Sequence, residues 1–142
     1  MFLGPPGTGK TTVARLLGRI YRHLGYLSIG QLVETDRAGM VAGYVGQTAL
    51  KVDELVKASL GGVLFIDEAY ALTNPDNTRD FGHEAVDTLI KRMEDHRRDL
   101  VVVTAGYTEP MKFFIESNPG LRPRFNRYFT FDHFYPQQLL EI

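Results

Sequence analysis

The stretch Gly4-Pro5-Pro6-Gly7-Thr8-Gly9-Lys10-Thr11 fits the spacing G-x-x-x-x-G-K-[ST]. Glycines at those positions let a backbone fold tightly and turn several N–H groups inward, and the resulting nest holds phosphate oxygens. A helix starting at the end of such a loop adds the positive end of its dipole to the anion site. In this arrangement the loop residues Pro6, Gly7, Thr8, Gly9, Lys10, Thr11 and Thr12 would wrap a nucleotide's phosphates. Lys10 would reach the β- and γ-phosphates, and the Thr11 hydroxyl would face Mg²⁺. Farther along, Val63-Leu64-Phe65-Ile66 ends in Asp67-Glu68. A carboxylate at Asp67 suits magnesium, which takes oxygen ligands and keeps several waters. Glu68 is placed to orient or deprotonate an attacking water, as phosphoryl transfer to water requires.

These residues need elements that bring them together. Residues 10–24 carry Val13, Leu16, Leu17, Ile20 and Leu24 at helical spacing, with Gly25 to end the helix. Residues 27–35 read as a strand and 36–42 as a short helix or turn. A helix opens at Gln47-Thr48 with Ala49, Val52, Leu55, Val56 and Leu60 on one face, and Gly61-Gly62 ends it. Val63–Ile66 and Leu100–Ala105 are unbroken apolar runs, which suits strands covered on both faces. Between them a helix is expected over residues 81–97. Thr108 is expected to cap a short helix that buries Met111, Phe114 and Ile115, and 127–131 reads as a last strand. The alternation predicts an α/β fold, a parallel sheet flanked by helices. Ligands in such sheets sit beyond the carboxyl ends of the strands. The glycine loop, Asp67-Glu68 and Ala105-Gly106-Tyr107 all fall at such ends.

The chain has 142 residues, 44% hydrophobic and 23% charged, a net charge of −1 and no cysteine. Disulfides and thiolate metal sites are excluded. No apolar run approaches the roughly 18 residues of a membrane span, and a cytoplasmic protein is the expectation. His23, His83, His96 and His133 show no metal-ligand spacing. Residues 1–135 are expected to form one nucleotide-binding subdomain with a truncated first strand. Residues 136–142 read as the start of a helical lid, so a piece of a longer chain is expected.

The Gly4–Thr11 loop paired with Val63–Glu68 resembles the Walker A and Walker B motifs of AAA+ ATPases, which have the P-loop NTPase fold. The finer resemblance is to the CbxX/CfqX branch (CbbX rubisco activases, stage V sporulation protein K and EccA-type ATPases). It is carried by Gly43-Tyr44-Val45-Gly46-Gln47-Thr48-Ala49, Gly61–Tyr70, Ala105-Gly106-Tyr107 and Ser117–Phe125. The resemblance implies an ATP hydrolase that works with Mg²⁺ as a ring hexamer on a protein substrate; the net charge of −1 advertises neither a nucleic-acid nor a membrane surface, so no such partner is expected. It also implies that Tyr44 and Val45 form a pore loop, with a second one near Asn74–Phe81. Arg124 would be the arginine finger, with Arg122 a second candidate. Many AAA+ proteins carry a sensor asparagine where this chain has Thr104-Ala105-Gly106-Tyr107-Thr108, and Thr104, Tyr107 and Thr108 all stay open for that role. The sensor 2 arginine would belong to the lid, so the isolated stretch is expected to bind nucleotide weakly. A helicase-loader or clamp-loader ATPase is the alternative. It would need basic residues for nucleic-acid phosphates, and Gly43–Gly46 has none. A slow nucleotide-gated scaffold is a third possibility, which an intact Glu68 disfavours.

Overall fold

The computed structural model describes residues 1–44, 46–73 and 81–132. Among these residues five strands form one parallel sheet: β1 (Phe2–Leu3), β2 (Leu32–Thr35), β3 (Val63–Ile66), β4 (Val101–Gly106) and β5 (Phe129–Thr130). Their spatial order is β2-β3-β4-β1-β5. The register sets Ile66 beside Thr104, Leu3 beside Gly106 and Leu3 beside Thr130. The helices are α1 (Lys10–His23), α2 (Arg37–Met40), α3 (Gln47–Ser59), α4 (Phe81–Asp95), α5 (Thr108–Glu116) and α6 (Leu121–Arg124), with a 3₁₀ turn at Ala69–Thr73. None is long and apolar enough to cross a membrane. The expected lid start at 136–142 lies outside the described residues.

Strand alternation divides the core in two. Val63, Phe65, Val103, Ala105 and Phe2 face α1, joined by Ala14 and Leu27. Leu64, Ile66 and Leu3 face the other layer, where Val52, Val56, Leu72, Ala85, Val86, Leu89, Met111 and Phe114 pack. The apolar run Val63–Ile66 is therefore covered on both faces, as its composition implies. Arg92 of α4 bonds Asp53 of α3 through Nε (2.6 Å) and Nη2 (3.3 Å). These hydrogen bonds hold the Asp53 carboxyl below the usual carboxylate range.

Several local expectations are corrected. The inward line of α1 is Ala14 and Gly18, flanked by partly buried Val13, Leu17 and Tyr21, whereas Leu16, Ile20 and Leu24 are exposed. The reason is proximity: a Cβ on Gly18 would stand 2.6 Å from the Gly30 carbonyl oxygen and 3.3 Å from Val63 Cγ2. Only glycine fits where α1 passes Gly30 and Val63. The second strand begins at Leu32 rather than residue 27. Before it, Ser28 N–H donates to Asp99 Oδ1, and the Ile29 and Gly30 N–H groups both donate to the Gly61 carbonyl, so the ladder starts late. The helix over 81–97 ends at Asp95. Tyr107, not Thr108, occupies the cap position of α5, and it makes no side-chain cap hydrogen bond. The last strand keeps only Phe129–Thr130, although Phe131 N–H still donates to the Leu3 carbonyl at 2.7 Å.

The Gly18 contact gives a test with a definite sign. Alanine at an open helix position is favoured over glycine by about 1 kcal/mol. Here Gly18→Ala should instead cost about 1–3 kcal/mol, the usual penalty of overpacking. A urea titration that found the variant more stable than the parent would remove this contact from the account of the fold.

Candidate functional site

The loop after β1 is tied to the sheet at its first residue. Gly4 N–H donates to the Gly106 carbonyl at 3.0 Å. Its φ of 145° and the Phe131 carbonyl oxygen, 2.1 Å from any added Cβ, leave no alternative to glycine. Gly7 and Gly9 have φ of 75° and 89°, and a Cβ on either would meet nothing within 4 Å. Backbone conformation therefore calls for these glycines, and the space above them is open. Gly9 precedes α1 and its carbonyl accepts from Val13 N–H.

Lys10 is buried and folded back over the loop. Its Nζ donates to the Gly4 carbonyl (2.9 Å) and the Pro5 carbonyl (2.6 Å). An ammonium has three donors, so one is left. Burial lowers the Lys10 pKa, and the Asp67 carboxylate pulls it back up. The neighbouring Thr8 is buried too, and its Oγ1 donates to the Pro5 carbonyl at 2.8 Å.

At the end of β3, Asp67 N–H donates to the Thr35 carbonyl at 2.9 Å and prolongs the ladder by one step. Glu68 then turns sharply. Its φ of 49° makes it the one described residue other than glycine in the left-handed region, a conformation that costs energy and clusters at functional sites. Its N–H donates to Asp67 Oδ1 at 3.0 Å, and both side chains are exposed. The Tyr70 phenol is pushed up by burial and by Glu68, Tyr107 and Asp67 close by.

Loop, acids and the end of β4 meet in one cleft of about 280 Å³ lined by Gly4, Pro6, Gly7, Gly9, Lys10, Thr11, Thr12, Phe65, Asp67, Glu68, Gly106 and Tyr107. Every loop residue expected at the phosphates lines it except Thr8, whose side chain is spent on Pro5. The family described as "ATPase family associated with various cellular activities (AAA)" matches residues 1–133. This chain belongs to the AAA family of ATPases. Within the family it is similar to stage V sporulation protein K of Bacillus subtilis (strain 168), at 49% identity over all of this chain and 44% of that protein. It is 48% identical to CbbX of Cereibacter sphaeroides, over 99% of this chain and 46% of CbbX. Identity is also 48% to the chloroplastic ribulose bisphosphate carboxylase/oxygenase activase of Cyanidioschyzon merolae (strain NIES-3377 / 10D), over 99% of this chain and 48% of the activase. These relatives belong to the CbbX/CfxQ branch, and the chain spans a little under half of their length. The FIGL-1 AAA domain, crystallised with ADP, shares the fold at a TM-score of 0.66 and 19% identity, over 99% of this chain and 44% of that one.

An AAA ATPase binds ATP, and the cleft fits a magnesium ion as well. Among the described residues no three His, Cys, Asp or Glu side chains form a metal cage, but magnesium needs only one or two carboxylates beside phosphate oxygens. Thr11 and Asp67 both line the cleft, and Asp67 Oδ2 carries no hydrogen bond among the described residues.

Other residues named in the sequence lie elsewhere. Thr104 is fully buried on the face away from α1, and its Oγ1 has no partner among the described residues. Thr108 is the first residue of α5 and does not line the cleft. Tyr44 is 78% exposed, while Val45 and Asn74–Asp80 lie outside the described residues. Arg124 Nη1 donates to the Gly120 carbonyl (3.2 Å) and Nη2 to Glu94 Oε2 (3.3 Å), with Nε buried and without a partner among the described residues. Arg122 pairs with Glu116. Both arginines precede β5, which runs parallel to β1 from the level of Met1. They therefore sit at the amino-terminal edge of the sheet, opposite the cleft. The conformation of Glu68 and the inward turn of Thr8 carry no sequence signal.

Lys10→Ala removes both the charge over the cleft and the clasp on the loop carbonyls. ATP affinity should fall below detection in isothermal titration calorimetry, and unchanged affinity would discard the loop as the phosphate site.

Proposed function

We propose that this chain is the nucleotide-hydrolysing part of a ring hexamer that uses Mg-ATP to remodel or thread a protein. The observation that carries the reading is the meeting of Lys10 and Thr11 with Asp67 and Glu68 in one cleft. Loop N–H groups and Lys10 would bind the β- and γ-phosphates. Thr11 and Asp67 would hold magnesium, which when bound neutralises charge on the phosphate oxygens. Glu68 orients a water for in-line attack on the γ-phosphorus and takes its proton. The bond to the β,γ-bridging oxygen breaks, and ADP and phosphate leave.

Ring action is supported by the arginines. Arg124 and Arg122 lie across the sheet from the cleft of their own subunit, so any catalytic role falls to them at a neighbour's nucleotide. In that role Arg124 must give up Glu94 and approach the γ-phosphate bound next door, with Arg122 as the second candidate. A protein substrate is supported by Tyr44, an exposed aromatic in a stretch, Gly43–Gly46, without lysine or arginine. A rubisco activase among the relatives, named for acting on an enzyme, favours the same substrate class.

Glu68→Gln should keep ATP and lose about 10²–10⁴-fold in turnover, the usual worth of a general base. Loaded with Mg-ATP in the full chain, it should retain its substrate for mass spectrometry. Trapped protein supports the remodeller, whereas nucleic acid without protein would promote the loader alternative. Arg124→Ala should bind ATP yet hydrolyse it about 10³–10⁵-fold more slowly. Mixing it with wild-type subunits should restore turnover at its own sites, and no rescue at any ratio would argue against a finger acting in trans.

A further inference from the structure

Glu68 depends on its backbone for its aim. Its carboxylate is exposed and has no hydrogen-bond partner among the described residues. Its φ of 49° lies in the left-handed region, which a residue with a Cβ keeps only where the surroundings over-determine it. Two of those surroundings come from one segment at the end of β2. Before Glu68, the Asp67 N–H donates to the Thr35 carbonyl at 2.9 Å. After it, the Arg37 guanidinium donates through Nη1 to the Ala71 carbonyl, also at 2.9 Å. Residues 35–37 thus bracket the acid turn on both sides.

Ala71 stands in the 3₁₀ turn Ala69–Thr73, and its N–H donates to the Glu68 carbonyl at 2.9 Å. It is therefore bonded at both ends, to Glu68 on one side and to Arg37 on the other. Ala69 and Leu72 are fully buried and hold the turn against the core. Apolar contact has no direction, so it fixes how deep the turn lies and not how its peptide planes point. A hydrogen bond is directional and weakens steeply when it bends, and a charged donor makes it stronger. Arg37 in turn has a firm mount. Asp36 Oδ1 caps α2 by accepting from Gly39 N–H at 3.1 Å, Lys51 Nζ donates to the Ala38 carbonyl at 2.9 Å, and Met40 is fully buried.

We propose that Arg37 is a positioning residue for Glu68: by fixing the Ala71 carbonyl, it holds the acid turn in the left-handed conformation from which the carboxylate reaches the attacking water. The inference rests on the reading of Glu68 as the group that activates that water. It adds a residue outside the cleft lining on which that group relies. Arg37 touches neither nucleotide nor water, so ATP binding does not depend on it. Its effect falls on turnover, where a misplacement of about 1 Å can cost about 10²-fold.

The test is Arg37→Met in the full chain, alone and combined with Glu68→Gln. Single-turnover hydrolysis, ATP affinity by calorimetry and thermal melting are measured on each. Arg37→Met should lose about 10–100-fold in turnover with ATP affinity unchanged. In the Glu68→Gln background the same substitution should change the residual rate by less than about twofold, because residues that act through one group do not add. An equal fall in both backgrounds would overturn the inference and leave Arg37 as a brace for the fold. Arg37→Lys keeps the charge on a stem without the planar fork. It should lose turnover several-fold at unchanged ATP affinity, and it carries the test if the methionine variant does not fold. Wild-type turnover in either variant would overturn the inference. Glu68→Gln alone separates the two levels. If it binds ATP without turnover while the Arg37 variants behave as wild type, only the arginine assignment falls. If it hydrolyses ATP normally, the reading of Glu68 falls and takes Arg37 with it.

Discussion

The distance between α1 and the sheet is the constraint on which the cleft depends. It is set by backbone against backbone at Gly18 and Gly30, where neither residue could carry a Cβ without displacing the other chain. With α1 held there, its first turn meets the rim of the sheet beside β1. The loop from Leu3 to Lys10 must then close within a few residues, through Gly7 and Gly9 in left-handed conformations. A bulkier contact would lift the helix and carry Lys10 and Thr11 away from Asp67. The site is thus a product of packing about two turns farther along the helix that Lys10 opens.

The parallel sheet, its five strands, and the convergence of loop and acids were legible in the sequence. Each rests on a strong local signal: glycine spacing, unbroken apolar runs, and acids at a strand end. The buried face of α1 was misread for a physical reason. Periodicity ranks large apolar side chains as core, yet a helix that comes this close to a sheet turns its smallest residues inward and leaves Leu16, Ile20 and Leu24 outside. The second strand was overextended because the Asp99 carboxylate and the Gly61 carbonyl, both distant in sequence, take the N–H groups of Ser28, Ile29 and Gly30. The left-handed turn at Glu68 was invisible since nothing in a glutamate announces it.

Lys10 serves both the loop and the cleft. Its ammonium holds the carbonyls of Gly4 and Pro5 and keeps the loop shaped. Burial makes that charge less comfortable, and the Asp67 carboxylate sustains it. An incoming anion therefore meets a cation that is already desolvated, so part of the cost of stripping water from it has been met in folding.

The contact between Gly4 and Phe131 has a mechanical meaning. No side chain lies between the start of the phosphate loop and the Phe131 carbonyl, and there is no room for a methyl group. Side chains can absorb small displacements by changing rotamer, but abutting backbones cannot. A movement of the Phe131 carbonyl toward the loop would meet the Gly4 backbone without slack, and a nucleotide that reshaped the loop would push back along the same line. A junction of this kind suits a pushrod rather than a spring.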